Sequence, residues 1–156
     1  ISRNNRFAIE VIGDPASEGG VSLPSEVAGR VTVGDFSESF PIDLSFWMVA
    51  DYSRSWERAL RELEASENST SCLISSITDP ETANFIFCWP IYREGEAVRV
   101  QNSIIFLDDL EEELNPQEPW RYVKARSLVD EDRNQISEWS TTASEVRRFR
   151  ESIGGQ

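Results

Sequence analysis

The stretch that decides the fold runs from Asn84 to Leu107. Its first part is apolar at nearly every position: Asn84-Phe85-Ile86-Phe87-Cys88-Trp89-Pro90-Ile91-Tyr92. Consecutive apolar residues predict a strand that is covered on both faces. Arg93-Glu94-Gly95-Glu96 predicts a chain reversal, because Gly95 can adopt a positive φ. The second part alternates, so the returning strand of this hairpin should bury one apolar face, formed by Val98, Val100, Ile104 and Phe106.

Asn102 interrupts this apolar face between Val100 and Ile104. A buried amide needs hydrogen-bond partners. We therefore expect Asn102 to fix the strand register or to support a neighbouring loop, with contact to a ligand as the alternative.

An acidic block directly follows the hairpin and consists of Asp108, Asp109, Glu111, Glu112 and Glu113. Two interpretations stay open. The aspartates favour the first turn of a short helix through Leu110 and Leu114, on which the charges only face solvent. Alternatively, the block is a surface that binds a basic partner. The spacing differs from that of a calcium-binding loop, so no metal site is predicted.

The composition favours one acidic, globular domain. The chain has 156 residues, of which 39% are hydrophobic, enough for a sizeable core. Its formal charge is −13, from 28 acidic and 15 basic residues. This charge opposes direct binding to nucleic acid and to anionic membranes, and it attracts cationic partners. The alternative is that the acidity only keeps the protein in solution.

The localisation prediction is cytoplasmic. No apolar run is long enough for a transmembrane helix, and Ile1–Arg6 lacks the apolar core of a signal peptide. Residues 1–6 are predicted to be a flexible lead or an added remnant, and residues 7–153 a single domain. Cys72 and Cys88 lie in apolar strand patterns, which favours two buried free thiols, with a disulfide as the alternative.

The remaining pattern predicts an α+β fold, mainly of antiparallel β-sheets with two α-helices. The predicted strands are Phe7–Ile12, Val27–Val33, Phe36–Leu44 and Ser71–Ile77, with a loop over Ala16–Glu26 and a core plug at Phe46 and Trp47. The first helix spans Ser53–Ala65, capped by Asp51 or Ser53, and its buried stripe is Trp56, Ala59, Leu60 and Leu63.

The last third is less regular. Trp120–Leu128 and Asn134–Trp139 form either a second hairpin or, over Tyr122–Arg126, a helical turn. A capping box of Thr142 and Glu145 predicts a final helix that ends at Gly154. In that helix Arg147, Arg148 and Arg150 are expected to compensate the C-terminal helix dipole.

The residues that most enzymes use are scarce. The chain has no histidine and two cysteines, which excludes the usual triads and His-containing metal sites. A carboxylate pair such as Asp35 with Glu38, or Asp79 with Glu81, is the remaining catalytic option. Asp79-Pro80 is also ordinary turn chemistry. We therefore expect a protein that is not an enzyme and needs no cofactor or metal.

A set of short motifs between Gly34 and Trp139 marks a pattern that covers roughly Phe7 to Phe149. They are Gly34-Asp35-Phe36 with Glu38 and Phe40, Leu44-Ser45-Phe46-Trp47, Asp51-Tyr52 with Ser55-Trp56, Asp79 to Trp89, Ile91-Tyr92, Val98, Val100-Gln101-Asn102, Ile104-Ile105-Phe106-Leu107 and Ile136-Ser137-Glu138-Trp139. At this spacing the chain resembles the CdiI immunity proteins of bacterial contact-dependent growth inhibition, in particular the type described from Enterobacter cloacae.

The resemblance implies antiparallel sheets with helices, a fold likened to the Whirly single-strand-binding proteins. It also implies a cytoplasmic antidote that binds the C-terminal toxin domain of a partner CdiA, often a nuclease, and neutralises it. The segment Asp108–Pro119 departs from the family pattern, which favours it as the part that selects the partner. We therefore assign toxin binding to Asp108, Asp109, Glu111, Glu112 and Glu113.

The sequence leaves two other functions open. A nucleic-acid-binding module would fit the Whirly-like fold, although no Lys/Arg stripe follows any predicted strand. A carboxylate-dependent hydrolase would need two carboxyl groups that face each other in a cleft.

Overall fold

The computed structural model describes residues 6–12, 26–130 and 132–154. A small antiparallel sheet contains β1 (Phe7–Val11), β2 (Glu26–Val33) and β3 (Phe36–Asp43). A larger antiparallel sheet contains β4 (Thr70–Ser76), β5 (Phe85–Glu94), β6 (Ala97–Gln101), β7 (Ser103–Phe106) and β8 (Glu138–Thr142). The two α-helices of the described chain are α1 (Val49–Glu64) and α2 (Ala143–Gly154). The predicted α+β class is confirmed, whereas the predicted loop Ala16–Glu26 lies outside the described residues, apart from Glu26, which begins β2.

The long strand β5 organises the larger sheet. It pairs with β4 on one edge, and on the other edge it pairs first with β7 and then with β6. The register is continuous, since Ile91 faces Val100 and Cys88 faces Ser103. Odd-numbered residues of β5 therefore all lie on one face of the sheet. The predicted central hairpin is confirmed, with β6 and β7 as its returning strand.

An aromatic cluster joins the two sheets around Trp89, which is 1% exposed. The Trp89 ring centroid lies 6.4 Å from that of Phe36 and 6.0 Å from that of Phe40, both on the small sheet. Trp139 of β8 is 6.1 Å from Trp89 and stacks on Phe36 at 3.7 Å. The indole N–H of Trp89 has no hydrogen-bond partner among the described residues.

Helix α1 packs on the larger sheet through the predicted stripe of Trp56, Ala59, Leu60 and Leu63, all buried. Side chains fix its distance from β4. The indole N–H of Trp56 donates to the Ile74 carbonyl oxygen at 2.8 Å, and the Ser71 hydroxyl donates to the Ala59 carbonyl oxygen at 2.7 Å.

The start of α1 lies four residues before the predicted one. The carboxylate of Asp51 accepts the Met48 backbone N–H at 2.9 Å, so Asp51 caps the helix from inside its first turn. The predicted core plug is half wrong. Trp47 is buried, whereas Phe46 is 39% exposed.

The predicted capping box at the start of helix α2 is confirmed in part. The Glu145 N–H donates to the Thr142 hydroxyl oxygen at 3.2 Å, which is one half of the capping box. Glu96 adds a second cap, because its carboxylate accepts the Ser144 N–H at 3.0 Å. Hydrogen bonding to Ser144 lowers the pKa of Glu96 below its usual value.

The predicted role of the three arginines in α2 is wrong, because none of them lies in the last turn. Arg150 bonds Glu64 of α1, and Arg147 contacts the same carboxylate at 3.4 Å. Arg148 pairs with Glu145 one turn earlier, at 3.7 Å. Two of the arginines therefore hold α2 against α1.

The predicted second hairpin is also wrong. Pro119–Tyr122 is a single 3-10 turn, and the chain after Tyr122 is not helical. An isolated bridge between Val129 and Gln135 is what remains of a hairpin there. The reason is packing: side chains in residues 107–123 cover the sheet instead of extending a strand, namely Leu107, Leu110, Leu114, Trp120, Tyr122 and Val123.

Gln101 has the role predicted for Asn102. The Gln101 amide is buried and donates to the Ser127 carbonyl oxygen at 2.9 Å and to the Glu138 carboxylate at 2.8 Å. Asn102 is exposed, so its prediction is wrong. Adjacent strand residues lie on opposite faces, so the side chain that points toward Ser127 is that of Gln101 and not that of Asn102.

At the start of β8, the Glu138 carboxylate accepts hydrogen bonds from two side chains. Arg126 donates to both of its carboxylate oxygens, at 2.7 and 2.6 Å, and Gln101 donates to one of them. The hydrogen bonds from Arg126 are the main reason why the pKa of Glu138 lies below its usual value. This group therefore fastens residues 126–127 to the sheet.

The two cysteines agree with the prediction. Cys72 and Cys88 are free thiols and fully buried on neighbouring strands. Burial, with a hydrogen bond that the Cys72 thiol donates to Cys88, raises the pKa of the Cys72 thiol well above its ordinary value. A protonated, inaccessible thiol is not expected to react at neutral pH.

Replacement of Trp89 should strongly reduce stability. The change Trp89→Ala removes the ring that joins the sheets, so we expect a loss of about 3–5 kcal/mol in the free energy of unfolding. Trp89→Phe should lose less, because it keeps an aromatic ring and removes an unpaired N–H. Urea titration followed by circular dichroism measures both changes. Equal losses in the two variants would contradict this account.

The Glu138 group should make stability depend on pH. A folded-state pKa below the unfolded value of about 4.3 means that the carboxylate stabilises the fold above that pH and loses its effect below it. Glu138→Gln should therefore cost about 1–3 kcal/mol at pH 7 and progressively less as the pH falls through 4. Urea titrations at pH 7 and pH 3 test this, with Glu67→Gln on an exposed site as the control.

Candidate partner-binding surface

The acidic block begins directly after β7, in a single 3-10 turn that spans Leu107–Asp109. The predicted short helix through Leu114 is wrong, because Leu110 has an extended backbone, with φ −83° and ψ 138°. Leu107, Leu110 and Leu114 still pack against the core from this non-helical segment. The intervening carboxylates all point to solvent: Asp108, Asp109, Glu111, Glu112 and Glu113.

Little positive charge neutralises the acidic block. Glu112 pairs with Arg121 at 2.8 Å, and Arg121 also contacts Glu118 at 3.3 Å. Within the described ranges, the other four carboxylates of the block have no salt-bridge partner. The segment therefore presents a concentrated negative charge, which is the arrangement that attracts a basic surface.

An exposed apolar face lies beside the acidic block on the larger sheet. It consists of Phe85 and Phe87 on β5 and of Ile104 and Phe106 on β7, which are 40%, 42%, 41% and 53% exposed. Phe85 faces Phe106 and Phe87 faces Ile104 across the strand pair, so all four side chains share one face. The ring of Phe85 contacts those of Phe87 and Phe106, with centroid distances of 5.2 and 6.3 Å.

This face contradicts the prediction that β5 is covered on both sides and that Ile104 and Phe106 are buried with Val98 and Val100. The prediction holds for the valines, which are fully buried. It fails at the other end of the hairpin, because the small sheet covers Trp89 and does not extend over Phe87. The sequence pattern shows which residues share a face and carries no information on how far that face is covered.

The strand register places the two features side by side. The Leu107 N–H donates to the Asn84 carbonyl oxygen at 2.9 Å, which extends the β5–β7 pairing to the point where the acidic block begins. Asp108 follows Phe106 by two residues. The exposed apolar face therefore has the acidic block at one end.

The carboxylate pairs considered for catalysis lie elsewhere. Asp79 accepts the Glu81 N–H at 3.0 Å and forms a turn, as its sequence context predicts. Asp35 lies in the turn between β2 and β3, and Glu38 is exposed on β3. A cleft of about 420 Å³ beside α1 contains neither pair and is lined by Arg58, Arg61, Glu62, Asn115, Gln117, Glu118 and Trp120.

No group of three or more acidic or cysteine side chains in the described ranges could hold a metal ion. Among the described helices, none is long and apolar enough to cross a membrane.

The structure thus combines an α+β fold with an exposed face that is partly apolar and strongly acidic. The family model of the CdiI N-terminal domain matches residues 42–149. The chain therefore belongs to the CdiI family of immunity proteins.

A known protein and a solved structure, both from Enterobacter cloacae, are similar to this chain. A protein described as immunity protein CdiI is 36% identical over 148 residues, which cover 94% of this chain and 98% of the relative. A chain of the CdiA-CT/CdiI toxin and immunity complex matches with a TM-score of 0.83 and 33% identity, over 96% of this chain and 99% of that chain. The resemblance seen in the sequence motifs is confirmed.

The acidic block should contribute little to stability. Neutralising all five residues (Asp108→Asn, Asp109→Asn, Glu111→Gln, Glu112→Gln, Glu113→Gln) should change the free energy of unfolding by no more than about 1 kcal/mol, because they are exposed and one of them has a salt bridge. Urea titration measures this. A loss above about 2 kcal/mol would give the block a structural role.

Proposed function

We propose that this chain binds the C-terminal toxin domain of a cognate CdiA protein and neutralises it by covering its active or substrate-binding surface. The observation that carries this proposal is the match, over almost the whole of both chains, to a protein solved as part of a toxin and immunity complex. We also propose that the complex forms in the cytoplasm and that the chain acts without catalysis, metal or cofactor.

The charge of the chain supports a basic toxin. With a formal charge of −13, the protein attracts cationic domains and repels anionic ones. Nucleases that bind phosphate backbones need Lys and Arg on their substrate surface. We therefore propose a nuclease as the toxin, since an acidic protein would compete directly with its nucleic-acid substrate for the same basic surface.

The acidic block is our candidate for the toxin-binding residues. Its charges are exposed and mostly unpaired, so they act over roughly 8–10 Å at physiological ionic strength. At that range they steer a basic domain toward the correct orientation before contact. Their main effect is therefore expected on the association rate.

The kinetic test uses the purified CdiA C-terminal domain encoded with this chain. The variant with five neutralised acids should associate at least about tenfold more slowly at low salt than the unmodified protein, and the difference should shrink as salt rises. Stopped-flow or surface plasmon resonance gives the rates. An unchanged association rate at low salt would remove the acidic block from the binding site.

A matched control separates the effect of the acidic block on the association rate from the effect of the overall charge. Five exposed acids elsewhere can be neutralised in the same way, namely Glu38, Glu67, Glu94, Asp132 and Glu151. Both variants change the formal charge from −13 to −8. The control should associate faster than the variant in the acidic block. Equal rates would mean that only the total charge matters.

One observation favours a second candidate function. Three exposed phenylalanines on a sheet face, Phe85, Phe87 and Phe106, resemble the stacking surfaces of single-strand-binding proteins. The acidic block beside them opposes binding to a phosphate backbone. Fluorescence anisotropy with a single-stranded RNA at low salt tests this function. Binding that disappears in Phe→Ala variants would favour it over the toxin-binding proposal.

A further inference from the structure

The exposed apolar face has a size and shape that suit the centre of a protein interface. A phenylalanine or isoleucine side chain offers about 150–200 Å², so exposures between 40% and 53% leave roughly 300 Å² of contiguous apolar surface. A stable interface buries about 800 Å² on each partner, with an apolar centre and a polar rim. The apolar face can supply that centre, and the acidic block can supply part of the rim.

The two strands hold this face rigidly. The backbones of β5 and β7 are paired along the whole length of the face, from Phe85 with Phe106 to Cys88 with Ser103. The ring of Phe85 also contacts those of Phe87 and Phe106. A partner that binds here therefore meets a preorganised surface and loses little entropy by ordering it.

The neighbouring charges decide what kind of partner can cover the face. A second copy of the chain has the same formal charge of −13, so two copies repel each other, and a twofold axis parallel to the strands would also bring the two acidic blocks together. The block contains five carboxylates with one salt bridge among the described residues, so this contact would be strongly repulsive. The same repulsion opposes binding of a phosphate backbone or an anionic membrane. A protein with an apolar protrusion beside Lys or Arg residues is complementary to both features.

We infer that Phe85, Phe87, Ile104 and Phe106 are the energetic centre of toxin binding, and that they receive an apolar protrusion of the CdiA toxin domain that is flanked by basic residues. This inference rests on the proposed function. It gives the two features separate tasks: the acidic block accelerates association, and the apolar face determines how long the complex lasts. Residues at the buried centre of an interface usually act on dissociation, whereas charges at the rim act on association.

The test measures both rate constants with the CdiA C-terminal domain encoded with this chain. The double variants Phe85→Ala/Phe106→Ala and Phe87→Ala/Ile104→Ala should each raise the dissociation rate roughly 30-fold or more, while the association rate stays within about threefold. The single variant Phe106→Ala, at the most exposed of the four positions, should raise it at least about tenfold. Circular dichroism and thermal unfolding check that each variant is folded.

Two controls make the result specific. Ile12→Ala truncates a residue that is 43% exposed beyond the end of β1 in the other sheet, and it should leave both rates unchanged. The measurements are then repeated near 1 M salt, where the screening length is about 3 Å. The effect of the apolar variants should persist there, and the effect of neutralising the acidic block should vanish.

The outcomes separate the inference from the proposed function. If the unmodified protein binds the toxin domain tightly and the folded apolar variants dissociate at its rate, the inference is wrong and the proposed function stands. If the apolar variants abolish self-association of the chain without affecting toxin binding, the face belongs to a second copy and the inference is again wrong. If the unmodified protein does not bind the toxin domain, the proposed function itself fails.

Discussion

The packing of the two sheets around Trp89 is the constraint on which the rest of the structure depends. Phe36 and Phe40 approach the Trp89 ring from the small sheet, and Trp139 closes the cluster from β8. The small sheet covers the end of the hairpin that contains Trp89 and leaves the other end open. The same contact therefore creates the core and, by its limited extent, the exposed apolar face.

The opposite side of the larger sheet is covered in a different way. Residues 107–127 contribute single side chains and backbone carbonyls instead of a strand or helix. The Tyr92 hydroxyl donates to the Lys124 carbonyl oxygen at 2.9 Å, and the group of Gln101, Arg126 and Glu138 fastens the end of the segment. Because this segment begins at the end of β7, its first charged residues lie next to the apolar face. The segment that covers the sheet therefore also places the acidic block beside the apolar face.

The regular elements were predictable, and the irregular ones were not. The spacing of Trp56, Ala59, Leu60 and Leu63 identified α1, and alternation identified the strands, because local geometry alone sets these patterns. The predictions from sequence were wrong where contacts between residues far apart in the chain determine the structure. Arg147 and Arg150 bind a glutamate on another helix, and the segment after Pro119 packs on the sheet instead of pairing with itself. Of the candidate surface, the sequence indicated the exposed acids and not the phenylalanines.

By itself, the sequence determined the α+β class, the central hairpin, the negative charge and, through its motifs, the family. The family follows from the resemblance of the motifs. The other three properties follow from composition and from periodicities of two and 3.6 residues, which each strand or helix carries independently of its neighbours. Only the tertiary structure decided which apolar residues are covered. Phe87 and Ile91 lie on the same face of the same strand, yet one is 42% exposed and the other is fully buried. Burial depends on where another element ends, and no local pattern contains that information.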